Sequence, residues 1–465
     1  MNNYFTTHTP SYEASKGLSS TLIPALFLST IIGAISLTLD IYWISAIGVS
    51  AFTFYFMLLL LGLGKDIPIE SLAMVICSSQ WVIGPLLSYK GFSDHFKYYM
   101  YVPESDYMEL AVPAVILFSL GIYMFRSRDR VASISNYVIL VNETINRRRN
   151  LPFYLIGVGF LFSFLYDYFP QSLAFPAYVL SNIKYIGLIY LLFSGHFNNK
   201  KMIMIIAVVF AFMSSLKSAL FHDLILWFVF IGMYASLLYK PSHIKKILFV
   251  ILGLTVVLVI QVAKDEYRMM IRDTGSSGYL DKFLYSVEER FQEDESLHSE
   301  NVERIIVRLN QGWIISRIMQ SVPTYVPYAS GETVVTAIKA ALLPRLLYPE
   351  KPIAGGKENY EKYTGYKLHN TSMGVSLLGE AYINFGIVGA WIFMFIVGAL
   401  FSLVIRWLFS LTLWYPTIWF WFPLMLLHFV KAETELLVQL NYLVKSIILV
   451  LVFLYLNKYY LKIRL

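Results

Sequence analysis

Apolar runs of membrane length follow one another along most of this chain, separated by short polar stretches. About 20 apolar residues suffice to cross a bilayer as a helix. Twelve such runs can be read, at residues 18–38, 42–62, 68–88, 109–126, 151–168, 172–194, 202–219, 222–239, 247–263, 382–405, 412–430 and 440–457. Lys217, His222 and Asp223 crowd the turn between the seventh and eighth. One long interval breaks the rhythm. Residues 264–380 carry 14 Lys and Arg and 16 Asp and Glu, which is 30 of the chain's 67 charged residues. The pattern predicts an all-α polytopic membrane protein, with nine spans over residues 1–263, one large loop over 264–380 and three spans over 381–465.

Composition strengthens that assignment. The chain of 465 residues is 57% hydrophobic, 17% aromatic and only 14% charged, whereas a soluble domain carries roughly 25% charged residues. The net charge of +7 does not point to nucleic acid, because the basic clusters flank apolar spans, where they set orientation. Cys77 is the one cysteine, so an intramolecular disulfide and a thiolate metal site are both excluded. Met1 to Lys16 is polar and the first apolar run is too long for a cleavable signal peptide, so none is expected.

Charge changes the picture by giving a direction. Arg126, Arg128, Arg130, Arg147, Arg148 and Arg149 follow the fourth span, Lys200 and Lys201 the sixth, and Lys240, Lys245 and Lys246 the eighth. Arg406 follows the tenth, and Lys458, Lys462 and Arg464 the twelfth. All fall in even-numbered loops, which the positive-inside rule assigns to the cytoplasm. Both termini are then cytoplasmic, and residues 264–380 lie outside. The outward loop from Tyr89 to Asp106 is aromatic, with Tyr98, Tyr99 and Tyr101 inside it and Tyr107 just beyond. Such rings can stack on sugars, although an interfacial aromatic belt is the plainer reading.

Within the long loop, Gly275 to Gly278 reads as a turn, and the acidic run from Glu288 to Glu295 as a solvated helix face. The triplet Glu293, Asp294 and Glu295 has the chemistry to hold a cation. Ser299 suits an N-cap, with Glu300 and Glu303 in the first turn. The helix it starts is expected to run to about Gln320. Its arginines Arg304 and Arg308, four apart, share a face, and Arg317 lies nearly opposite. Glu332 to Leu342 reads as a short amphipathic helix. Pro344, Pro349 and Pro352 then stiffen the backbone that presents Arg345 and Lys351. Near the return to the bilayer, Glu380 and Asn384 are four apart, hence on one helical face, and a carboxylate there is a functional candidate.

These residues resemble a family. Arg308-x-Asn310, Pro344-Arg345-x-x-x-Pro349-x-Lys351-Pro352 and Gly379-Glu380-x-Tyr382-x-Asn384-Phe385-Gly386 resemble motifs of the bacterial oligosaccharide repeat unit polymerases, the Wzy-type O-antigen and capsule polymerases. Met213-Ser214-Ser215-Leu216-Lys217 resembles their Gly-Ser-Arg element, with serine for glycine and lysine for arginine. The resemblance implies a lipid-to-lipid glycosyltransferase of GT-C-like build in the bacterial inner membrane, its active face periplasmic. A growing glycan on undecaprenyl diphosphate would be transferred to a new lipid-linked repeat unit. The partners implied are undecaprenyl-diphosphate-linked oligosaccharides, membrane lipid and a chain-length regulator, with no nucleotide sugar, metal or other cofactor.

The residue chemistry suits that reaction independently. A lipid diphosphate leaving group gathers negative charge on phosphate oxygens, which guanidinium groups pair with bidentately. Arg308, Arg345 and Lys351, with Arg317, Arg268 and Lys217 as further members, form the expected diphosphate clamp. Arg268 and Arg272 suit lipid-phosphate anchoring equally well. Glu380 is the first candidate for a base that takes the acceptor proton, and His369 the second. Asn310, Tyr382 and Asn384 are expected to support them, and His222 to serve packing. No Asp-x-Asp pair occurs in an outward loop, so no metal is expected. An O-antigen ligase would need the same clamp. A flippase or transporter would instead place charge within its spans, and these spans read as nearly free of it.

Overall fold

The computed structural model describes residues 11–39, 41–93, 95–127, 150–170, 173–195, 200–218, 221–274, 278–292, 295–344, 347–369 and 372–459, with Ile134, Val138 and Ile145. Among them the architecture is all-helical, with one isolated bridge between Leu63 and Asp66. Nine helices among the described residues are long and apolar enough to cross a membrane, so the chain is a membrane-embedded protein. They are α2 (Trp43–Gly62), α3 (Ile69–Tyr89), α4 (Glu104–Phe125), α5 (Leu151–Tyr168), α6 (Ala174–Phe193), α8 (Phe221–Tyr239), α9 (apolar over His243–Lys264), α15 (Ser376–Leu413) and α16 (Leu436–Tyr459). Two further expected spans are weaker. In α1 (Ser11–Thr38) the apolar part is the shorter Leu22–Thr38, and α7 (Lys200–Ser218), which opens on two lysines, is not among the nine.

The bundle closes on contacts between backbones. A methyl group added to Gly121 of α4 would lie 2.2 Å from the Phe395 carbonyl oxygen, and one on Gly398 of α15 2.1 Å from that of Phe118. Small residues let membrane helices approach this closely, and dispersion over the contact supplies the attraction. Trp391 Nε1 adds a hydrogen bond to the Leu110 carbonyl at 3.2 Å.

The expected span at 412–430 takes a different form. Residues Leu411–Leu413 and Ile418–Trp421 are 3-10 turns, and Phe422–Leu426 is a five-residue helix. Turns then lead to Glu435. Pro416 and Pro423 remove backbone donors that a continuous helix would need. Yet this segment still runs the length of the bundle. At one end the Lys458 ammonium, from the last turn of α16, lies 5.2 Å from the Tyr415 ring. At the other, Leu436 N donates to Glu380 near the start of α15, at 2.7 Å. Helices α15 and α16 therefore run in the same direction, and the broken segment returns between their opposite ends. Irregular backbone is tolerated at such depth only when protein buries it. Trp419, Phe420, Trp421 and Phe422 are all fully buried, and neighbouring hydroxyls meet the carbonyls. Tyr234 donates to Trp419 O, Tyr442 to Leu424 O at 2.9 Å and Ser446 to Met425 O at 3.3 Å. Hydropathy alone does not distinguish this arrangement from a helix.

The spans also carry more charge than their hydropathy suggests. Glu70 in α3, Lys184 in α6 and Glu380 in α15 are buried, as is Asp66 beside α3. Arg126 reaches Asp66 at 2.7 Å and Glu70 at 3.8 Å. Lys184 donates to Ser163 Oγ at 2.6 Å and lies over the Phe160 and Tyr185 rings.

The polar segment is not a separate body. Helix α9 runs unbroken from His243 to Thr274, through the expected boundary at Lys264. After it come α10 (Tyr279–Gln292), α11 (Glu295–Leu309), α12 (Gly312–Ser321), α13 (Glu332–Leu342) and α14 (Lys357–Thr364). Helix α13 packs along α16, with Ala337, Ala340 and Ala341 buried and Val335, Ile338 and Leu342 exposed. The helix expected from Ser299 to Gln320 is thus two, which start at Glu295 and break at Asn310 and Gln311. Asn310 makes that joint. Its Oδ1 accepts from Trp313 N at 3.1 Å, its Nδ2 donates to Ser88 Oγ at 2.8 Å, and Gln311 N donates to Gln80 O at 3.1 Å. A side chain on Gly84 would meet the Asn310 backbone at 2.8 Å, so the joint docks directly on α3.

Candidate functional site

A cavity of about 990 Å³ opens where α11 and α12 meet the loop before α4 and the end of the broken crossing. Three kinds of group line it. Glu303, Arg304, Val307 and Arg308 come from one face of α11, as the spacing of three and four requires. His95, Phe96, Tyr98 and Trp313 supply aromatic surface. His95 stacks on Tyr98 with centroids 4.5 Å apart, and Tyr98 meets Trp313 at 4.8 Å. The third contribution is Glu433, from the end of the broken crossing.

Glu433 is held by a partly buried ionic network. Its Oε1 lies 2.8 Å from His222 Nδ1. Nearby, Lys431 Nζ donates to Asp223 at 2.6 Å, and Tyr178 donates to the other Asp223 oxygen. Burial alone would push the Glu433 carboxyl up, but its neighbours His222 and Lys431 outweigh it and hold the group at about 2. Glu433 Oε2 has no hydrogen-bond partner. Hydropathy reads this stretch as an ordinary span end, and the run Lys431-Ala432-Glu433-Thr434-Glu435 was its one signal.

A second cavity, of about 200 Å³, lies behind the first. Glu433 faces the larger and Glu435 the smaller, so the chain between them is a partition. Gly374 and Gly356 continue it, since a methyl group on Gly356 would come within 2.5 Å of Gly374 Cα. Burial raises the Glu435 carboxyl and Glu358 adds to the rise, while Asn359, which donates to Glu435 Oε2 at 3.0 Å, opposes it.

A family model for a domain of unknown function, DUF8712, matches residues 75–409. The chain belongs to the DUF8712 family. The matched region runs from within α3 to the end of α15 and includes Tyr98, Arg304, Arg308 and Trp313, whereas Lys431 and Glu433 fall beyond it. No curated protein and no solved structure matches this DUF8712 chain.

The expected site residues separate into groups. Arg308 lines the large cavity with Arg304, and Tyr98 of the aromatic loop joins them. Arg317 is engaged elsewhere. Its guanidinium lies 5.2 Å from the Tyr101 ring and 4.8 Å from Tyr366, and its Nε donates to Thr364 O at 2.9 Å. Lys351 is buried and donates to Leu343 O at 3.1 Å. Lys217 is exposed and paired with Asp167 at 3.0 Å. Arg268 is exposed on α9, where its neighbour Met269 lines the cavity. Arg345, residues Gly275, Ser276 and Ser277 of the expected turn, and the side chains of Arg290, Glu293, Asp294, Glu295 and Ser299 lie outside the described residues.

Glu380 is fully buried, and both its oxygens accept hydrogen bonds, from Thr333 Oγ1 and Leu436 N, each at 2.7 Å. Thr333 lines the small cavity, so Glu380 stands one side chain behind its wall. Asn384 bridges Thr333 Oγ1 at 2.7 Å and Gly331 N at 3.0 Å, and Tyr382 donates to Val322 O at 3.1 Å. The Glu380 motif thus ties α15 to α13 and α16. His369 is exposed on the loop after α14 and lines neither cavity. His222, expected to serve packing, instead pairs with Glu433. Among the described residues no group of three or more His, Cys, Asp or Glu side chains could hold a metal ion.

Proposed function

We propose that this protein is a membrane glycosyltransferase that moves a growing glycan from undecaprenyl diphosphate onto a new lipid-linked repeat unit at the extracytoplasmic face of a bacterial inner membrane. One observation carries the reading: Arg304 and Arg308 share a large cavity with stacked aromatic rings and a carboxylate. Paired guanidinium groups suit a diphosphate. Aromatic faces suit sugar rings, and a carboxylate suits a hydroxyl nucleophile. The motif resemblance and the positive-inside count support the same reading. Against the clamp first expected, the guanidinium pair becomes Arg304 and Arg308, with Arg317 and Lys351 as scaffold.

The test is the surface polysaccharide of a deletion strain. Loss of the polymerase leaves surface lipid decorated with a single repeat unit in place of a ladder, and re-expression restores the ladder. Bare core on deletion would assign the protein to ligation or flipping. The flippase reading has its own support, because a discontinuous crossing with buried Lys431 and half-buried Asp223 and Glu433 at its end is a feature of transporters.

A further inference from the structure

We propose that α13 does not lie in the aqueous loop but enters the bilayer beside α16 and leaves by the same side, with its outer face against lipid acyl chains. Glu380 fixes the level at which it starts. Thr333 Oγ1, in the first turn of α13, donates to one Glu380 oxygen, and Leu436 N, at the first residue of α16, donates to the other, each at 2.7 Å. The two helices therefore begin side by side. Helix α13 packs along α16, and α16 extends in one direction only from Leu436, so α13 runs inward with it. Its 11 residues cover about 16 Å. No residue of α16 from Leu436 to Ile447 is exposed, and Ile448 is the first that is. That shielded stretch is about 18 Å of helix, a length that α13 matches. The whole of α16 has 24 residues, enough to cross a hydrocarbon core of about 30 Å. Helix α13 thus occupies the half of the bilayer entered from Leu436.

Side chains and backbone both suit that depth. Ala337, Ala340 and Ala341 are buried, a face of small residues that lets two membrane helices approach closely. Val335, Ile338 and Leu342 are exposed, and Leu343 and Leu347 continue the apolar surface. Where α13 ends, α16 itself begins to expose Ile448, Val452 and Tyr455, so the lipid-facing surface passes from one helix to the other. Among the described residues from Val335 to Leu347 the one exposed charge is Lys339, whose long stem lets its ammonium reach back towards the headgroups. A helix end at this depth needs its carbonyls satisfied by protein. Lys351 is buried and donates to Leu343 O at 3.1 Å, at the end where the helix dipole favours a cation. Pro344 O accepts from Leu347 N and Tyr348 N, each at 3.0 Å. Polar residues resume at Glu350 and Lys351. Pro352 and Ile353 then bring the chain back to the small cavity, which Thr333 also lines. Nothing in this placement depends on the reaction proposed above.

The experiment uses the full chain in phosphatidylcholine nanodiscs. Cys77 is buried, so a cysteine added at the surface is the one that takes a nitroxide label. Val335→Cys, Ile338→Cys and Leu342→Cys replace exposed side chains and remove no core contact. Ile448→Cys in α16 is the lipid control. Asp273→Cys is the water control, since Asp273 is 68% exposed near the end of α9, beyond its apolar part. Collisions of each label are measured with oxygen, which concentrates in lipid, and with a water-soluble nickel chelate. At Ile338 and Leu342 the ratio of oxygen to nickel collisions should match Ile448 and exceed Asp273 about tenfold or more, because the bilayer core holds no water. The ratio should also rise from Val335 through Ile338 to Leu342. Ratios at the Asp273 level in all three variants would put the face in water and overturn the proposal. Lipid-like ratios that do not rise along the helix would lay α13 flat on the surface and overturn its descent.

Discussion

Arg126 holds the buried carboxylate of Asp66 at 2.7 Å, and its guanidinium reaches Glu70 at 3.8 Å. Both carboxylates are almost fully buried, whereas Arg126 is about a quarter exposed. The pair therefore fastens the chain just past α4 to the start of α3. Removing the cation alone takes a charge partner from two buried anions. Arg126→Ala should lose about 3–5 kcal/mol of stability, read as the melting temperature in detergent. Combining Arg126→Met with Asp66→Asn and Glu70→Gln should recover most of it. A single variant that melts like wild type would show the pair to be inert.

The contact between α4 and α15 predicts a sharp contrast among glycines. Gly398→Ala places a methyl group 2.1 Å from a carbonyl oxygen, and overpacking of this kind costs about 1–3 kcal/mol. Gly157→Ala in α5 meets nothing within 4 Å and should be neutral or stabilising by about 0.4–1 kcal/mol. Melting curves of the two variants, side by side, check the prediction.

Three arginines of the polar segment should fail in two ways. Arg304→Ala and Arg308→Ala should each lower kcat/KM by about a hundredfold, or about 3 kcal/mol, and weaken undecaprenyl diphosphate binding while the fold stays intact. Arg317→Ala removes the ring stacking and the Thr364 contact, so it should lower the melting temperature first. Cells carrying Arg308→Ala at normal protein levels should display single repeat units. A full ladder would remove Arg308 from the site.

Acid should release the end of the broken crossing. The Glu433 carboxyl is held at about 2, below its ordinary 4.5. A depressed carboxyl contributes stability that is complete above 4.5 and is lost as pH falls towards 2. The stability gap between wild type and Glu433→Gln should therefore narrow as pH falls below about 4.5. A gap that persists undiminished at pH 3 would separate this carboxylate from the ion pair.

Much of this was legible in the chain. Apolar periodicity gave most of the helices, and a spacing of four put Arg304 and Arg308 on one face. The loop rich in tyrosine does line a cavity, through Tyr98. What stayed hidden depends on distant contacts. Lys431 and Asp223 are 208 residues apart, and no local pattern couples such positions. The break at Asn310 answers to the Gln80 carbonyl and to Gly84 as well as to its neighbour Trp313. Glu380 looked like a reactive carboxylate because the sequence reveals the charge but not that both oxygens are taken.

The broken crossing also bears on how the molecule is assembled. Helices α15 and α16 run in the same direction, so they cannot enter the bilayer together as a simple hairpin. The stretch between them has the greasiness that an insertion machinery accepts, but as an isolated rod it would be interrupted at Pro416 and Pro423. Its exposed carbonyls find their donors on Tyr234, from a helix made much earlier, and on Tyr442 and Ser446, from α16, which is made after it. The stretch is moulded from both sides, and its final shape waits for α16. Truncation before Tyr442 should therefore leave residues 411–435 open to protease while the α4–α15 pair is already protected.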